Sequence, residues 1–455
     1  MNAIALILAA GRGSRMRSSL IKVLHPLLGI PMVMWPVRQA RLAGLQACLV
    51  VGHQEDKVRS ALADEGLMFA RQETPRGTGH AVLSSLDQLP AEGLLLVCCG
   101  DTPLLRAETF TKLIDAHQNN LATVLTAKID QPASYGRIVR DDSGRVLRIV
   151  EAAEATEQER AIKEINTGAY VFDIAWLREQ LPSFLPHPPK NEIYLTDAIE
   201  RAAFVGRAGA VVIDDFDDCR GVNDRWALAQ AASILHQRTL RERALSGVGF
   251  EDPSSNSIDV DVKISPNTFI ERGAILRGAT QIAEGSRVGA YSVLENAVIG
   301  AQVTINAHSH LSGAIVEDRV TVGPFARLRE GAILKEKSKI GNFVEIKKST
   351  MGVGAKAGHL SYIGDSSVGE GVNIGAGTIT CNYDGFQKHK TTIGEGAFIG
   401  SNTSLVAPVD IGAGAIIGAG STITRSVSRN AIGVERSEQR NIEAAAERFR
   451  DKRKV

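Results

Sequence analysis

Aliphatic side chains recur at every sixth position through most of the C-terminal half of the chain. The recurrence runs from about residue 258 to residue 434, and its phase is repeatedly lost by one residue and regained. Two uninterrupted series are Ile264, Ile270, Leu276, Ile282, Val288 and Leu294, and Ile393, Ile399, Leu405, Ile411, Ile417 and Ile423. A period of six fits neither an α-helix nor a lone strand. It indicates short strands on the faces of a three-sided coil, with the aliphatic residue pointing inward.

Glycine often follows the aliphatic residue, as in Ile299-Gly300, Ile340-Gly341 and Ile417-Gly418. Glycine accommodates the positive φ or close backbone approach that the corners of such a coil require. The pattern resembles the hexapeptide-repeat family, and this resemblance implies an all-β, left-handed parallel β-helix. That handedness is an exception to the usual right-handed crossover. A solenoid that acts only as a spacer is the alternative.

The N-terminal half has a different pattern, in which short apolar runs alternate with helical patterns. The runs at residues 3–8, 49–52, 94–97 and 210–213 are typical of buried parallel strands. Their alternation with helices predicts an α/β domain with a Rossmann-like, mixed but mostly parallel sheet. Ligands of such sheets bind at the carboxyl ends of the strands.

The length of 455 residues exceeds one ordinary core and indicates two or three domains. A helical pattern follows Asp224 and ends near Gly247, so it predicts an arm between the two halves. We therefore expect an α/β domain over residues 1–224, a helical linker over residues 225–250, and a β-helix with a C-terminal tail over residues 251–455.

Composition narrows the classes of function. The net charge of +1 shows no bias towards polyanions, so nucleic acid is not an expected partner. The five cysteines are scattered without a Cys-x-x-Cys spacing, which favours reduced thiols in the cytoplasm over a disulfide framework or a zinc site. The apolar run at residues 4–10 is too short for a membrane span or signal core. We expect a cytoplasmic protein without membrane insertion.

The loop after the first predicted strand has candidate phosphate-binding chemistry. Gly11 and Gly13 allow backbone N–H groups to approach an anion, and Arg15 adds a permanent positive charge. Residues 8–16 resemble the Leu-x-x-Gly-x-Gly-Thr-Arg-Met signature of sugar-nucleotide pyrophosphorylases, with Ser14 in place of the commoner threonine. Lys22 matches the downstream lysine of that family, although Ile21 precedes it where proline is usual.

Further motifs follow in the order of the same family, at Gln72, Gly77-Thr78, Gly100-Asp101, Tyr135-Gly136 and Gly221-Val222-Asn223. The resemblance implies a catalytic role for Arg15 and Lys22 on phosphate oxygens, and Mg²⁺ held by Asp101 and Asn223. Such groups neutralise the charge that builds on a triphosphate, and the sugar phosphate itself is the nucleophile. The implied substrate-binding residues are Leu8, Ala9, Ala10, Gly11, Lys22, Gln72, Gly77, Thr78, Cys99, Gly100, Asp101, Gly136, Glu151, Asn166 and Asn223. Of these, Gln72 would read the uracil edge.

Basic and aromatic residues interrupt the six-residue repeat in the segments 325–329, 341–348, 357–365, 372–378 and 381–390. The last segment breaks the period altogether, so we expect it to protrude from the coil. A protruding loop on a trimeric solenoid can cover the groove of a neighbouring subunit.

These segments resemble the bacterial bifunctional N-acetylglucosamine-1-phosphate uridylyltransferase/glucosamine-1-phosphate acetyltransferases, and the resemblance covers nearly the whole chain. It implies that His359 is the general base for acetylation, with Glu345 a candidate to orient it. Arg329 and Lys347 would hold the sugar phosphate, and Tyr362 and Asn373 would contact the sugar. The implied acetyl-coenzyme A groove is lined by Ala376, Asn382, Tyr383, Ser401, Ala419 and Arg436.

The resemblance implies a homotrimer that first acetylates glucosamine 1-phosphate and then transfers uridylyl from UTP to N-acetylglucosamine 1-phosphate. A nucleotidyltransferase for another sugar phosphate, with the solenoid as a scaffold, is one alternative. A sugar-nucleotide binder without catalysis is another, and the intact set of Lys22, Asp101 and Asn223 speaks against it. Cys381 as an acyl-carrying nucleophile is disfavoured, because direct transfer from a thioester to an amine needs no covalent enzyme intermediate.

Overall fold

A mixed β-sheet forms the centre of the N-terminal unit. The computed structural model describes residues 3–188 and 191–453, and the chain divides into the compact units Met1–Gln237 and Arg238–Val455. Within the described part of the first unit, the strands are β1 (Ala3–Leu8), β2 (Pro26–Leu27), β3 (Ile30–Pro31), β4 (Gln46–Val51), β5 (Met68–Arg71), β6 (Leu94–Cys99), β7 (Ala122–Lys128), β8 (Arg137–Arg140), β9 (Val146–Val150), β10 (Glu164–Asp173) and β11 (Ala208–Ile213).

The main sheet has the order β11-β7-β10-β6-β1-β4-β5. Outside this order, β8 pairs with both β10 and β9. β1, β4, β5 and β6 run parallel, as do β7 and β11, whereas β10 is antiparallel to both β6 and β7. This arrangement confirms the predicted α/β class with a mixed sheet. It also brings the carboxyl ends of β1 and β6 together, because the two strands are direct neighbours.

Helices surround this sheet. They are α1 (Met34–Leu42), α2 (Glu55–Ala61), α3 (Thr78–Leu83), α4 (Ala107–His117), α5 (Glu157–Arg160), α6 (Ile174–Gln180) and α7 (Asp197–Phe204), with short 3-10 helices at Ser14–Met16, Lys22–Leu24, Ala63–Glu65, Leu86–Gln88, Leu181–Ser183 and Phe216–Cys219. The central strands are apolar on both faces, since Ala5, Leu6 and Ile7 are fully buried. The predicted strand at residues 210–213 is only half-buried because it belongs to β11 at the edge of the sheet.

A long helix, α8 (Arg225–Leu245), occupies most of the predicted linker, and the division between the units falls inside it. Near its start, Arg225 donates to the backbone carbonyl of Met16 at 3.2 Å. Near its end, Arg243 donates to the carbonyls of Asp259, Val260 and Val262.

The C-terminal unit is a stack of coils whose strands form three parallel sheets within the described residues. The first sheet contains Gly249–Phe250, Phe269–Ile270, Arg287–Val288, Thr304–Ile305, Thr321–Val322, Lys339–Asn342, Lys356–His359, Asn373–Ile374, Phe398–Ile399, Ile416–Ile417 and Ile432–Gly433. The second contains Ser257–Ile258, Ile275–Arg277, Val293–Glu295, His310–Ser312, Arg327–Leu328, Glu345–Lys347, Tyr362–Gly364, Ile379–Cys381, Ser404–Val406 and Thr422–Ile423. The third contains Lys263–Ile264, Gln281–Ile282, Val298–Ile299, Ile315–Val316, Ile333–Leu334, Thr350–Met351, Ser366–Val368, Thr391–Ile393 and Val409–Ile411.

The repeat-bearing aliphatic residues stack on one another along the coil axis, as the six-residue period predicts. Ile270, Val288, Ile305 and Val322 are successive partners in the first sheet, and all four belong to one apolar core. The phase slips have a simple origin, because some coils are one residue shorter than others. The stack confirms the left-handed parallel β-helix of hexapeptide repeats, with a short 3-10 helix at Pro253–Ser255 and a terminal helix, α9 (Ala445–Asp451).

Among the described residues, no helix combines the length and apolar character needed to cross a membrane.

Candidate active sites

The loop after β1 brings a lysine to the carboxyl edge of the N-terminal sheet. Gly13 has a φ of 62°, and a Cβ atom at this position would lie 2.4 Å from Cβ of Lys22. Glycine is therefore required there both for the left-handed conformation and for the close approach. The backbone N–H of Gly100 donates to the carbonyl of Leu8 at 2.9 Å, which places the start of the Asp101 turn beside the same loop.

Four predicted residues from distant parts of the chain meet at this edge. Nζ of Lys22 donates to the carboxylate of Asp101 and, at 3.0 Å, to Oδ1 of Asn223. Arg15 also donates to Oδ1 of Asn223, at 2.8 Å. The backbone N–H of Val222 donates to the carbonyl of Asp101 at 2.8 Å, so the segment carrying Asn223 is fastened to the end of β6.

The oxygen atoms of Asp101 and Asn223 have the chemistry of a hard-cation site. Both contact the Lys22 ammonium, so one positive charge reaches both oxygens. In the described part of the chain, no group of three or more His, Cys, Asp or Glu residues could hold a metal ion. Two protein oxygens nevertheless fit Mg²⁺, because this ion usually keeps several waters and binds substrate phosphates.

A cavity of about 300 Å³ opens beside this cluster. Its lining includes the predicted residues Leu8, Ala9, Ala10, Gly11, Lys22, Gln72, Gly77, Thr78, Cys99 and Asp101. Gln72 is buried, and its amide nitrogen lies 3.1 Å from both the carbonyl of Gly77 and Nδ1 of His80. These contacts fix the orientation of the Gln72 amide, as recognition of a base edge requires.

The cavity is also lined by Gly13 of the phosphate-binding loop and by four residues to which the sequence assigned no role, namely Val23, Pro75, Ala81 and Glu192. Val23 and Ala81 lie next to identified motif residues, so the local sequence could have suggested them. Glu192 had no local signal. It reaches the cavity because its neighbour Ile193 accepts from the backbone N–H of Gly79 at 2.9 Å.

Another predicted group does not belong to the lining of this cavity, and it consists of Gly136 before β8, Glu151 after β9 and Asn166 on β10. The backbone N–H of Asn166 donates to the carbonyl of Gly136 at 2.9 Å, and its side chain donates to the hydroxyl of Tyr170 at 2.7 Å. Burial is the main cause of a raised pKa at Glu151, and the negative charge of Glu154 raises that pKa further.

Cys99, which lines the first cavity, has a pKa raised to about 12 by burial and by the negative charge of Asp101. This thiol therefore stays neutral at physiological pH.

In the β-helix, the predicted phosphate-binding residues form charged pairs on adjacent coils. Arg329 donates to Glu345 at 3.0 Å, and Lys347 contacts Asp365 at 3.0 Å. Asn382 also donates to the Asp365 carboxylate. Burial acts to raise the pKa of Asp365, but the hydrogen bonds from Lys347 and Asn382 outweigh it and lower that pKa.

The irregular segment 381–390 protrudes, as predicted. Tyr383 and Lys388 form an antiparallel bridge, and the side chain of Phe386 at its tip is 94% exposed. A hydrogen bond from Lys347 lowers the pKa of Lys388, and the same contact, with the ion pair to Asp365, raises the pKa of Lys347. A cavity of about 410 Å³ adjoins these groups and is lined by Lys348, Thr350, Asp365, Ser366, Ser367, Lys388, His389 and Lys390. Sequence reasoning assigned no role to Asp365 or Lys388.

The predicted general base has a different neighbour from the one that the sequence suggested. Nδ1 of His359 lies 2.6 Å from Oδ1 of Asn342. Glu345, the candidate chosen from the sequence, instead forms ion pairs with Arg329 and, at 3.7 Å, with Arg327. Asn342 precedes His359 by one full coil and is its direct strand partner, so a step of one coil back along the sequence would have indicated it, whereas Glu345 lies three residues closer to His359.

Three of the predicted coenzyme-binding residues, Ala376, Ser401 and Ala419, lie at one corner of successive coils, whereas Asn382 and Tyr383 follow a strand of the second sheet. The backbone N–H of Asn402 donates to the carbonyl of Ala376 at 2.7 Å, and the backbone N–H of Gly420 donates to the carbonyl of Ser401 at 2.8 Å. Arg436 then donates to the carbonyl of Ala419 at 3.0 Å. Tyr362 and Asn382 converge at Gly364, where a Cβ atom would collide with both side chains. Asn373 is the strand partner of Lys356 and Phe398 in the first sheet.

Known proteins match the chain over almost its entire length. The bifunctional protein GlmU of Trichlorobacter lovleyi is 50% identical over 444 residues, covering 96% of each chain. Those of Pelobacter propionicus and Geobacillus sp. strain WCH70 are each 46% identical and cover 99% and 98% of both chains, respectively. Residues 5–167 match the MobA-like NTP transferase domain, residues 390–425 the bacterial transferase hexapeptide, and residues 258–351 the GMPPB C-terminal domain.

Proposed function

Because the chain belongs to the family of bifunctional GlmU proteins, we propose how its two activities are divided between the two sites. The chain is an enzyme of UDP-N-acetylglucosamine synthesis. It acetylates glucosamine 1-phosphate with acetyl-coenzyme A, and it transfers uridylyl from UTP to N-acetylglucosamine 1-phosphate with release of pyrophosphate. The observation that carries the division is that the two sets of candidate residues form separate polar clusters, one in each unit.

Uridylyl transfer takes place in the N-terminal unit. Lys22 and Arg15 contact phosphate oxygens, where their charges stabilise the negative charge that develops in an in-line displacement. Asp101 and Asn223 would hold Mg²⁺, which would supply further neutralisation of the triphosphate when bound. Gln72 reads the uracil edge, and Gly77 and Thr78 border the ribose. Gly136, Glu151 and Asn166 contact the sugar.

Acetyl transfer takes place on the β-helix. His359 removes a proton from the glucosamine amine as the nitrogen attacks the thioester carbonyl. The new N–C bond forms, the C–S bond breaks, and the proton passes to the departing thiolate of coenzyme A. Arg329 and Lys347 hold the sugar phosphate, whereas Tyr362 and Asn373 contact the sugar. Acetyl-coenzyme A is bound by Ala376, Asn382, Tyr383, Ser401, Ala419 and Arg436.

The proposed assembly is a cytoplasmic homotrimer. Its support is that enzymes built from hexapeptide repeats are often trimeric, and that the segment 381–390 protrudes far enough to leave Phe386 almost fully exposed. A native mass of about three times 48.7 kDa in sedimentation equilibrium is the expected result.

Two single substitutions test the division of activities. Asp101→Ala removes the carboxylate proposed to bind Mg²⁺, and it is expected to abolish uridylyl transfer while leaving acetylation intact. His359→Ala removes the general base and is expected to lower acetylation by about 10²–10⁴-fold while leaving uridylyl transfer intact. Release of pyrophosphate and of free thiol reports the two reactions separately. Loss of both activities in either variant would contradict the two-site proposal, and absence of thiol release in the wild type would leave the β-helix as a scaffold.

Removal of divalent cations tests the proposed metal ligands. Chelation with EDTA is expected to stop uridylyl transfer and to spare acetylation, because side-chain cations already supply positive charge at the second site. Added Mg²⁺ should restore the first reaction. Asn223→Ala should raise the Mg²⁺ concentration needed for half-maximal activity, whereas an unchanged Mg²⁺ requirement would remove Asn223 from the proposed site.

A further inference from the structure

Two strands on adjacent coils are longer than their neighbours. In the described part of the first β-helix sheet, Lys339–Asn342 and Lys356–His359 have four residues each, whereas every other strand has two. Their extension continues the parallel pairing to Asn342 and His359, which are direct partners. The regular repeat does not require this extension, so it is a local feature of the coil that carries the predicted base.

Close approach of the two strands depends on a glycine. A Cβ atom at Gly341 would lie 1.9 Å from the carbonyl oxygen of Gly358, which leaves no room for any other residue. Each glycine directly precedes one member of the pair. The backbone N–H of Leu360 then donates to the carbonyl of Asn342 at 3.0 Å and fastens the segment beyond His359.

The side chains of the pair are in hydrogen-bonding contact. Oδ1 of Asn342 lies 2.6 Å from Nδ1 of His359. An amide oxygen can only accept, so the contact requires a proton on Nδ1 and leaves the Nε2 lone pair available to take a proton. A neutral amide achieves this without the charge that a carboxylate partner would add.

The carboxylate that could compete for the same role is engaged elsewhere. Glu345 lies 3.0 Å from Arg329 and 3.7 Å from Arg327, so it balances the guanidinium groups near the phosphate-binding position. The charged and titratable groups on the strands that carry or follow the pair are Lys339, Lys356, Glu345, Lys347 and Tyr362.

We infer that Asn342 is the positioning residue of the acetyl-transfer site, which holds His359 with its proton on Nδ1 and Nε2 directed to the substrate amine. This inference rests on the proposed function of His359 as the general base. Asn342 acts through His359 and does not itself touch the reacting atoms.

The test compares Asn342→Ala, Asn342→Asp and Glu345→Gln by steady-state kinetics of thiol release over a range of pH. Asn342→Ala is expected to lower kcat roughly tenfold to hundredfold, a part of what a general base contributes, with the KM for glucosamine 1-phosphate changed less than about threefold. Asn342→Asp places a carboxylate beside the imidazole and should move the acid limb of the pH profile about one unit higher, because a neighbouring negative charge favours the imidazolium form. Glu345→Gln should instead act mainly on that KM, through Arg329.

Asn441→Ala, at an exposed asparagine outside the coils and without a positive φ, is the control for loss of an asparagine side chain. If Asn342→Ala does not fold, Asn342→Asp decides the question alone through the acid limb. An unchanged kcat in Asn342→Ala, an unmoved acid limb in Asn342→Asp, or the same kcat loss and limb shift in Glu345→Gln would overturn the inference. An active His359→Ala would instead reject the proposed general base, so the two failures can be told apart.

Discussion

His187 connects carboxylates beside the predicted sugar pocket. Its Nε2 lies 3.0 Å from Asp197, and its Nδ1 lies 3.7 Å from Glu154. The hydrogen bond to Asp197 raises the pKa of His187 above its ordinary value, in spite of partial burial. A raised folded-state pKa means that the imidazolium stabilises the fold below the ordinary value, near 6.5, and that this contribution disappears as the pH rises through the raised value.

His187→Gln is therefore expected to lower the free energy of unfolding of the N-terminal unit at pH 6, and to have a smaller effect at pH 9. The loss at pH 6 should be about 0.2–1 kcal/mol, the range of partly exposed ion pairs. Urea denaturation followed by tryptophan fluorescence measures it selectively, because Trp35, Trp176 and Trp226, the three tryptophans of the chain, all lie in this unit.

His53→Gln is the matched control, since the ring of His53 contacts the neutral side chain of Gln54 at 3.3 Å. Equal pH dependence in the two variants would show that the contacts of His187 with carboxylates contribute nothing to the stability of the unit.

His187 also shows what the sequence alone could not predict. Lys22 and Asp101 belong to recognisable motifs, but His187 meets Glu154 only through the folded chain, and no local pattern indicates the contact.

At the scale of single elements, the strand pair Lys339–Asn342 and Lys356–His359 has two facing glycines in different environments. A Cβ atom at Gly341 would meet the carbonyl of Gly358 at 1.9 Å, whereas one at Gly358 would meet nothing within 4 Å. Gly341→Ala must therefore separate the strands. It is expected to destabilise the β-helix by about 1–3 kcal/mol, as overpacking of a close contact does.

Thermal inactivation of acetyl transfer gives the readout, with Gly358→Ala as the control that adds the same methyl group on the facing strand. We expect Gly341→Ala to be inactivated at a clearly lower temperature than Gly358→Ala, and uridylyl transfer to be inactivated at the same temperature in both. Equal inactivation of acetyl transfer would mean that the coils relax around the methyl group at no net cost.

The six-residue period predicted the β-helix because inward aliphatic residues must stack in every coil, whatever their neighbours. The period did not predict which polar side chains meet on the outer surface. Asn342 precedes His359 by one full coil, so the period places the two residues in register, but their pairing also depends on a local lengthening of two strands. The period carries no information on that lengthening.

At the scale of the whole molecule, the division between the two units falls within α8. The burial of α8 residues on either side of the division indicates where each unit ends. Ala231 and Leu235, on the N-terminal side of the division, are buried. Leu240, on the other side, belongs to the apolar core of the β-helix. The limits proposed from the sequence, with the first domain ending at residue 224, would remove the buried helical residues from the first unit.

A fragment of residues 1–237 is therefore expected to be more stable than a fragment of residues 1–224. Burial of one large aliphatic side chain contributes about 1.5–3 kcal/mol, and in a unit of this size each 1 kcal/mol raises the Tm by about 2–4 °C. Thermal unfolding followed by tryptophan fluorescence would show a difference of at least about 3 °C. A fragment of residues 1–237 with Leu235→Ala should lose much of the gain, because Leu235 is then truncated while the helix is kept. Equal Tm values for the two wild-type fragments would instead place the end of the first unit at residue 224, and the part of α8 before residue 237 would then not stabilise that unit.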